Sequence, residues 1–231
     1  MPNPLVQSIT LLGFGFILGL KHALDADHVV AVSTIVSQTK SLRKSSVFGL
    51  LWGVGHTTTL FLVGFFILTL KLVIPVKLAL SFEFLVGIVL VIMGADILIK
   101  IRREKLHLHK HEHNNKAHVH LHKHKETNEH HHHHKSFIVG MIHGLAGSAA
   151  LVLLVLSTVK STSQGLLFIL IFGVGSIAGM FVTSAIVGLP FVLTSKFDRI
   201  NEGVKIAAGT ISIILGLTII YEIGVVRRLF F

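Results

Sequence analysis

Six stretches of this chain are each long and apolar enough to cross a bilayer, which takes about 20 residues per helix. They fall at about 5–36, 47–70, 82–100, 137–158, 165–193 and 203–225. Of the 231 residues, 52% are hydrophobic and 14% charged; a soluble domain is about a quarter charged. The expected fold is all-α, a polytopic membrane protein of six transmembrane helices. A β-barrel would show short alternating segments instead. The first and fifth stretches exceed a straight crossing, which points to tilt, a break or an extension into water. Gly13, Gly15, Gly19 and Pro190 mark places for such irregularity. The start Met1-Pro2-Asn3-Pro4 lacks a basic region and a small-residue cleavage site, and reads as a mature terminus.

The two halves of the chain resemble each other. Gly19-x-x-His22-x-Leu24 matches Gly140-x-x-His143-x-Leu145, and Gly53-Val54-Gly55-His56 matches Gly173-Val174-Gly175-Ser176. Gly87 and Gly94 match Gly209 and Gly216, and all three matches are collinear at offsets of 120 to 122 residues. Three spans per half is an odd number, so the halves are expected to be inverted repeats. Such repeats place a substrate at their interface near mid-membrane. The expected organisation is a first three-helix repeat over 1–100 carrying a metal motif, a His-rich loop over 101–135, and a second three-helix repeat over 136–231. The basic residues after the first, third and fifth spans put that loop in the cytoplasm and both termini outside; Arg227 and Arg228 pull the other way.

Inside the first apolar stretch lies Lys21-His22-Ala23-Leu24-Asp25-Ala26-Asp27-His28. A charge at bilayer depth costs roughly 2.5–3.5 kcal/mol on insertion scales, so a cluster needs a bound cation, mutual pairing or a wet cavity. The plainer reading is a paired helix end that orders the first loop. Two further histidines, His56 and His143, sit in later spans. For His56 the plainer reading is a bond across helices, and for His143 a packing residue left from duplication. Glu83, Asp96 and Glu222 read as solvated helix ends. At about 100° per residue, a regular helix gathers His22, Asp25 and His28 within about 120° and points Asp27 away. Asp27 then pairs elsewhere, with Lys21 or behind another ligand, or the helix is distorted there. In the second half Ala146, Ser148 and Ala149 stand where Asp25, Asp27 and His28 stand in the first, which suits one metal site. There is no cysteine. Imidazole and carboxylate without thiolate suit nickel, cobalt, zinc or manganese. The candidate metal ligands are His22, Asp25, Asp27, His28, His56 and His143.

Lys21-His22-Ala23-Leu24-Asp25-Ala26-Asp27-His28-Val29 resembles the H-x4-D-H signature of the nickel/cobalt transporter family, whose usual form reads R-H-A-x-D-A-D-H-I. Trp52-Gly53-Val54-Gly55-His56-Thr57 resembles its second signature, F-x-x-G-H-S/T. The resemblance implies divalent nickel or cobalt as substrate, no resident cofactor, and essential roles for His22, Asp27, His28 and His56. The family's later L-G-x-D/E-T-A-T-E and G-M-x-x-x-D-T-x-D signatures have no counterpart, and the chain is shorter than the eight-span members. It is more similar to a compact six-span branch described as urease-accessory or cytochrome-biogenesis-like membrane proteins, where Ile142-His143-Gly144-Leu145-Ala146-Gly147-Ser148-Ala149-Ala150 has its parallels.

Thirteen of the 17 histidines lie between 107 and 134. The tract is polar and not expected to fold alone. His-rich tracts bind transition metals, so it reads as a buffer or sensor at the cytoplasmic mouth, or else as a solvated linker. The net charge of +10 sits in loops beside apolar spans and does not indicate a nucleic-acid partner. No G-x4-G-K-S/T or H-E-x-x-H pattern occurs, so neither ATP hydrolysis nor zinc hydrolase chemistry is expected, and the chain is not read as an enzyme. The sequence points to a multi-pass nickel/cobalt permease of the cell membrane, working in uptake. Efflux, or metal delivery during metalloenzyme assembly, are the alternatives. Expected partners are a divalent metal ion, the lipid bilayer, and a metallochaperone or second copy of the chain.

Overall fold

The computed structural model describes residues 4–106, 111–113, 116–118, 129–159 and 161–230. The helices are α1 (Pro4–His22), α2 (Ala26–Val36), α3 (Leu42–Leu70), α4 (Val76–Leu106), α5 (Glu129–Thr158), α6 (Thr162–Leu193) and α7 (Asp198–Tyr221). Among the described residues, five apolar stretches are long enough to cross a membrane: Leu42–Leu70, Val76–Arg103, His134–Val155, Thr162–Lys196 and Asp198–Val226. These match the five expected spans after the first, and α5 ends at Thr158, where the fourth was expected to end. Within the His-rich tract, His111–His113 and Lys116–His118 pair as a short antiparallel hairpin, β1 and β2, with His111 opposite His118. A tract not expected to fold alone thus holds local backbone pairing. His107, His109, His120, His122 and His124 lie outside the described residues.

The first expected span, 5–36, is not one helix. It is two shorter apolar helices, α1 and α2, separated at Ala23-Leu24-Asp25. The amides of Leu24 and Asp25 turn back to the carbonyls of Lys21 and His22 three residues earlier, at 2.9 and 3.1 Å, which tightens and ends α1. Asp25 is extended, with ψ 144°, and holds the N-cap position of α2 without a side-chain cap bond; the first regular bond of α2 runs from the Val29 amide to the Asp25 carbonyl. Aspartate is favoured at such a cap. The carboxylates of Asp25 and Asp27 also face the positive end of the α2 dipole. The irregularity expected at Gly13, Gly15 and Gly19 is absent, because α1 runs unbroken through all three.

Packing depends on backbone approach. α3 lies against α5 and α6, α1 against α6, and α4 against α7, while α2 sits among α4, α6 and α7. A Cβ at Gly19 would strike the Phe172 carbonyl on α6, and one at Gly140 the Trp52 carbonyl on α3. Gly55 abuts the Phe137 carbonyl and Gly175 that of Phe16. On α4 and α7, Gly87 meets the Gly216 carbonyl and Gly94 that of Gly209. Every one of these contacts recurs with its two partners exchanged between halves, at offsets of 120 to 122 residues. Small residues of this kind let membrane helices close to backbone contact. Two apolar clusters result, one around Trp52, Leu90, Met93 and Met180, the other around Leu60, Phe168, Ile169 and Phe172.

Gly55→Ala should lower thermal stability in detergent by about 1–3 kcal/mol, the usual cost of forcing atoms into a packed interface. Gly13→Ala, with open space around it, should gain up to about 1 kcal/mol from helix propensity. Thermal unfolding of the two variants checks this; equal shifts would contradict the packing described.

Candidate metal centre

The break in the first span sets the site. His22 is the last residue of α1 and His28 the third of α2, so the turn brings their rings to 4.5 Å between centroids. His56, in the middle of α3, completes the group, with its ring 5.1 Å from each of the other two. One ring nitrogen from each of His22, His28 and His56 lies within 4.8 Å of the others. His22 Nε2 and His56 Nε2 are 3.2 Å apart. Two imidazoles bound to one ion at about 2.05 Å with a tetrahedral angle would sit about 3.3 Å apart. The observed separation is therefore close to one edge of a coordination polyhedron.

The carboxylates stand behind the rings. Asp25 Oδ2 accepts from His22 Nδ1 at 2.7 Å, and Asp27 Oδ1 accepts from His28 Nδ1 at 3.1 Å. A carboxylate in this position keeps the proton on Nδ1, orients the ring and leaves the Nε2 lone pair for a metal. His143 follows the same pattern with a backbone acceptor: its Nδ1 donates to the Val139 carbonyl at 3.0 Å. His28 and His143 are 3% and 1% exposed, and Nε2 of each has no hydrogen-bond partner among the described residues; nor has Nδ1 of His56. Buried polar atoms are nearly always satisfied. Several bare imidazole nitrogens in one place fit a missing electron-pair acceptor.

Of the six candidate ligands, the geometry gathers His22, His28 and His56. It puts Asp25 and Asp27 one bond further out. His143 stands beside the trio, its ring 5.4 Å from His28 and 4.8 Å from Trp52. The distorted helix accounts for Asp27, which pairs with His28 as an outer partner. In the second half α5 runs without a break through His143 and Ser148, where the Ser148 hydroxyl donates to the Leu145 carbonyl. The repeated position thus keeps the histidine and loses the turn.

An open cavity of about 280 Å³ reaches His22, Asp27, His28 and His143 from one end of the bundle. Glu83, Glu222 and Arg227 line its mouth. Glu83 and Glu222 are exposed, as expected of solvated helix ends; their convergence on one cavity was not expected, because nothing local in sequence brings α4 and the end of α7 together. At the other end of α2, polar side chains pair with one another. Gln38, just past α2, accepts from Lys100 Nζ at 3.0 Å, and Asp96 accepts from Lys100 and Lys135 at 3.1 and 3.0 Å. The void there measures about 10 Å³, room for about one water.

The transmembrane region of cytochrome c biogenesis proteins matches residues 29–218. The chain belongs to this family. The urease accessory protein UreH of Bacillus sp. (strain TB-90) is 42% identical over 97% of this chain and 96% of its own length. Two chloroplast proteins of Arabidopsis thaliana, FOR GROWTH AND FERTILITY 1 and 2, are 27% and 26% identical over 89% and 93% of this chain, which spans 57% of each. No solved structure matches. The compact urease-accessory and cytochrome-biogenesis branch is thus the one to which the motifs lead. Family and apolar helices together make this a multi-pass membrane protein.

With the histidines of 107–134 replaced to silence the loop, the full chain in detergent should bind one Ni²⁺ by calorimetry. Asp25→Asn and Asp27→Asn should each weaken binding roughly 10- to 100-fold, as loss of an outer-shell partner does, and His28→Ala by more. Unchanged affinity in His28→Ala would remove the centre from consideration.

Proposed function

We infer that the chain is a transporter of divalent nickel or cobalt, with His22, His28 and His56 as ligands of the travelling ion. Asp25 and Asp27 orient two of those rings, and His143 offers the next nitrogen along the cavity. The observation that carries this reading is the set of buried, unpartnered imidazole nitrogens at a helix break. Three imidazoles without thiolate suit nickel, cobalt or zinc. The urease accessory relative favours nickel. The ion is substrate, and no resident cofactor is called for.

In this reading the two half-helices share one crossing, giving six in all, and the chain consists of inverted three-helix repeats over 1–100 and 136–231. The exchanged glycine contacts support the repeat. The bond from Lys100 to Gln38 supports the shared crossing, since it ties the far end of α2 to the end of α4 that leads into the 101–135 loop. Discontinuous helices meeting at mid-membrane are how many transporters build an ion site. The His-rich loop then buffers metal on the cytoplasmic side of the cell membrane, where a metallochaperone or a second copy would dock.

The relative's designation as an accessory protein favours one further reading, a membrane factor that hands metal to a maturing enzyme without passing it across. Transport into sealed vesicles separates the two. Cells expressing the wild type should accumulate radioactive nickel above the empty-vector level, and His28→Ala should return accumulation to that level. A fall below vector would mean export. Binding without any flux in reconstituted vesicles would favour the delivery factor.

A further inference from the structure

The segment that follows α7 does not trail away from the bundle; it folds over the mouth of the cavity. Glu222–Val226 forms a π-helical turn, a local widening often found at functional positions. The Arg227 amide then closes onto the Glu222 carbonyl at 2.8 Å, and Arg228 adopts a left-handed conformation with φ 54°. A non-glycine residue in that region is uncommon and is held there by its surroundings. The reversal is fixed by the Leu229 amide on the Ile223 carbonyl and by Phe230, whose ring stands edge-on to Phe84 at 5.2 Å. Gly224 leaves the space for that aromatic pair.

This fold-back puts Arg227 between two carboxylates from different helices. Its guanidinium is 2.9 Å from Glu222 and 3.7 Å from Glu83. All three line the cavity that leads to the unpartnered nitrogens of His28 and His143. Two carboxylates and one guanidinium leave the mouth with one net negative charge, which draws in cations. Yet the carboxylates are already occupied by a tethered cation. Each of these side chains is at least 38% exposed, so the pairs are loose enough to exchange.

We propose that Glu222–Phe230 is a lid on the metal cavity and that Arg227 is its latch. An arriving divalent cation displaces the Arg227 guanidinium from Glu83 and Glu222 and passes inward to the histidines. The latch favours doubly charged ions, which compete with a guanidinium for two carboxylates better than a monovalent ion does. This rests on reading the cavity as the route to a cation centre.

The absence of cysteine lets the lid be tested without assuming transport. Ala146 is half-buried and lines the cavity, and Ala146→Cys supplies one thiol whose modification by a small water-soluble methanethiosulfonate reports access. In the full chain, Arg227→Gln should speed that modification roughly two- to fivefold, the factor that an exposed ion pair is worth. Phe230→Ala should do the same by freeing the strap, and it stands in if Arg227→Gln does not fold. Added Ni²⁺ should speed labelling of the latched protein, and Na⁺ at equal ionic strength should not. Unchanged labelling in both variants overturns the lid. Faster labelling in the variants with no response to Ni²⁺ keeps the lid and overturns displacement of the latch by metal. Calorimetric loss of Ni²⁺ binding in the wild type would instead sink the transport reading.

Discussion

Imidazole nitrogens left bare inside an apolar bundle are the constraint on which the other features converge. A buried polar atom without a partner costs free energy comparable to a lost hydrogen bond or more. Here the Nε2 atoms of His28 and His143 and the Nδ1 of His56 carry that cost together. The chain does not relieve it internally, although serine and threonine hydroxyls nearby find carbonyls, as Ser136 does with Phe48 and Ser212 with Leu90. Trp52 Nε1 and Ser176 Oγ are also buried without a partner among the described residues, but three of the five such atoms are imidazole nitrogens. A cation bound through Nε2 relieves His28, while His56, whose Nε2 faces His22, keeps its Nδ1 for a proton.

The glycine contacts make such a site possible. α1 and α6, and α3 and α5, meet at backbone distance through Gly19, Gly175, Gly55 and Gly140. That closeness lets His22 at the end of one helix reach His56 in the middle of another. It also removes freedom from the helices flanking the break, so the geometry of the turn at Ala23-Leu24-Asp25 is set by packing on both sides. The asymmetry between halves has a clear physical basis. In the first half Asp25 stands at the start of a new helix with its carboxylate on His22 Nδ1, while in the second half Ala146 has no carboxylate to offer His143 and α5 continues.

Much of this was legible in the sequence. Apolar runs gave the helices, because burial in lipid needs length and little else. The clustering of His22, Asp25, Asp27 and His28 marked a candidate site, since ionisable groups at depth need a purpose. The conflict of Asp27 with helical periodicity hinted at the break. Its location and the turn itself depended on tertiary contacts that local pattern does not carry. Helical angles and the motif named Asp25 and Asp27 as candidate ligands and left open that Asp27 stands behind another one; the distances put each carboxylate on the Nδ1 of a histidine. Glu83, Glu222 and Arg227 were missed for a related reason. They are 139 and 144 residues apart from Glu83 onward, and their meeting depends on how α4 packs against α7 and on a left-handed residue at Arg228.

The central claim is that one divalent ion is held by imidazoles from both sides of the helix break and from α3. X-ray absorption at the nickel edge tests it most directly, on the full chain with the 107–134 histidines replaced and loaded with one Ni²⁺. The account predicts the multiple-scattering pattern of three imidazoles, with one lost in His56→Ala and another in His28→Ala. A spectrum of oxygen ligands alone, or one that neither substitution alters, would contradict it.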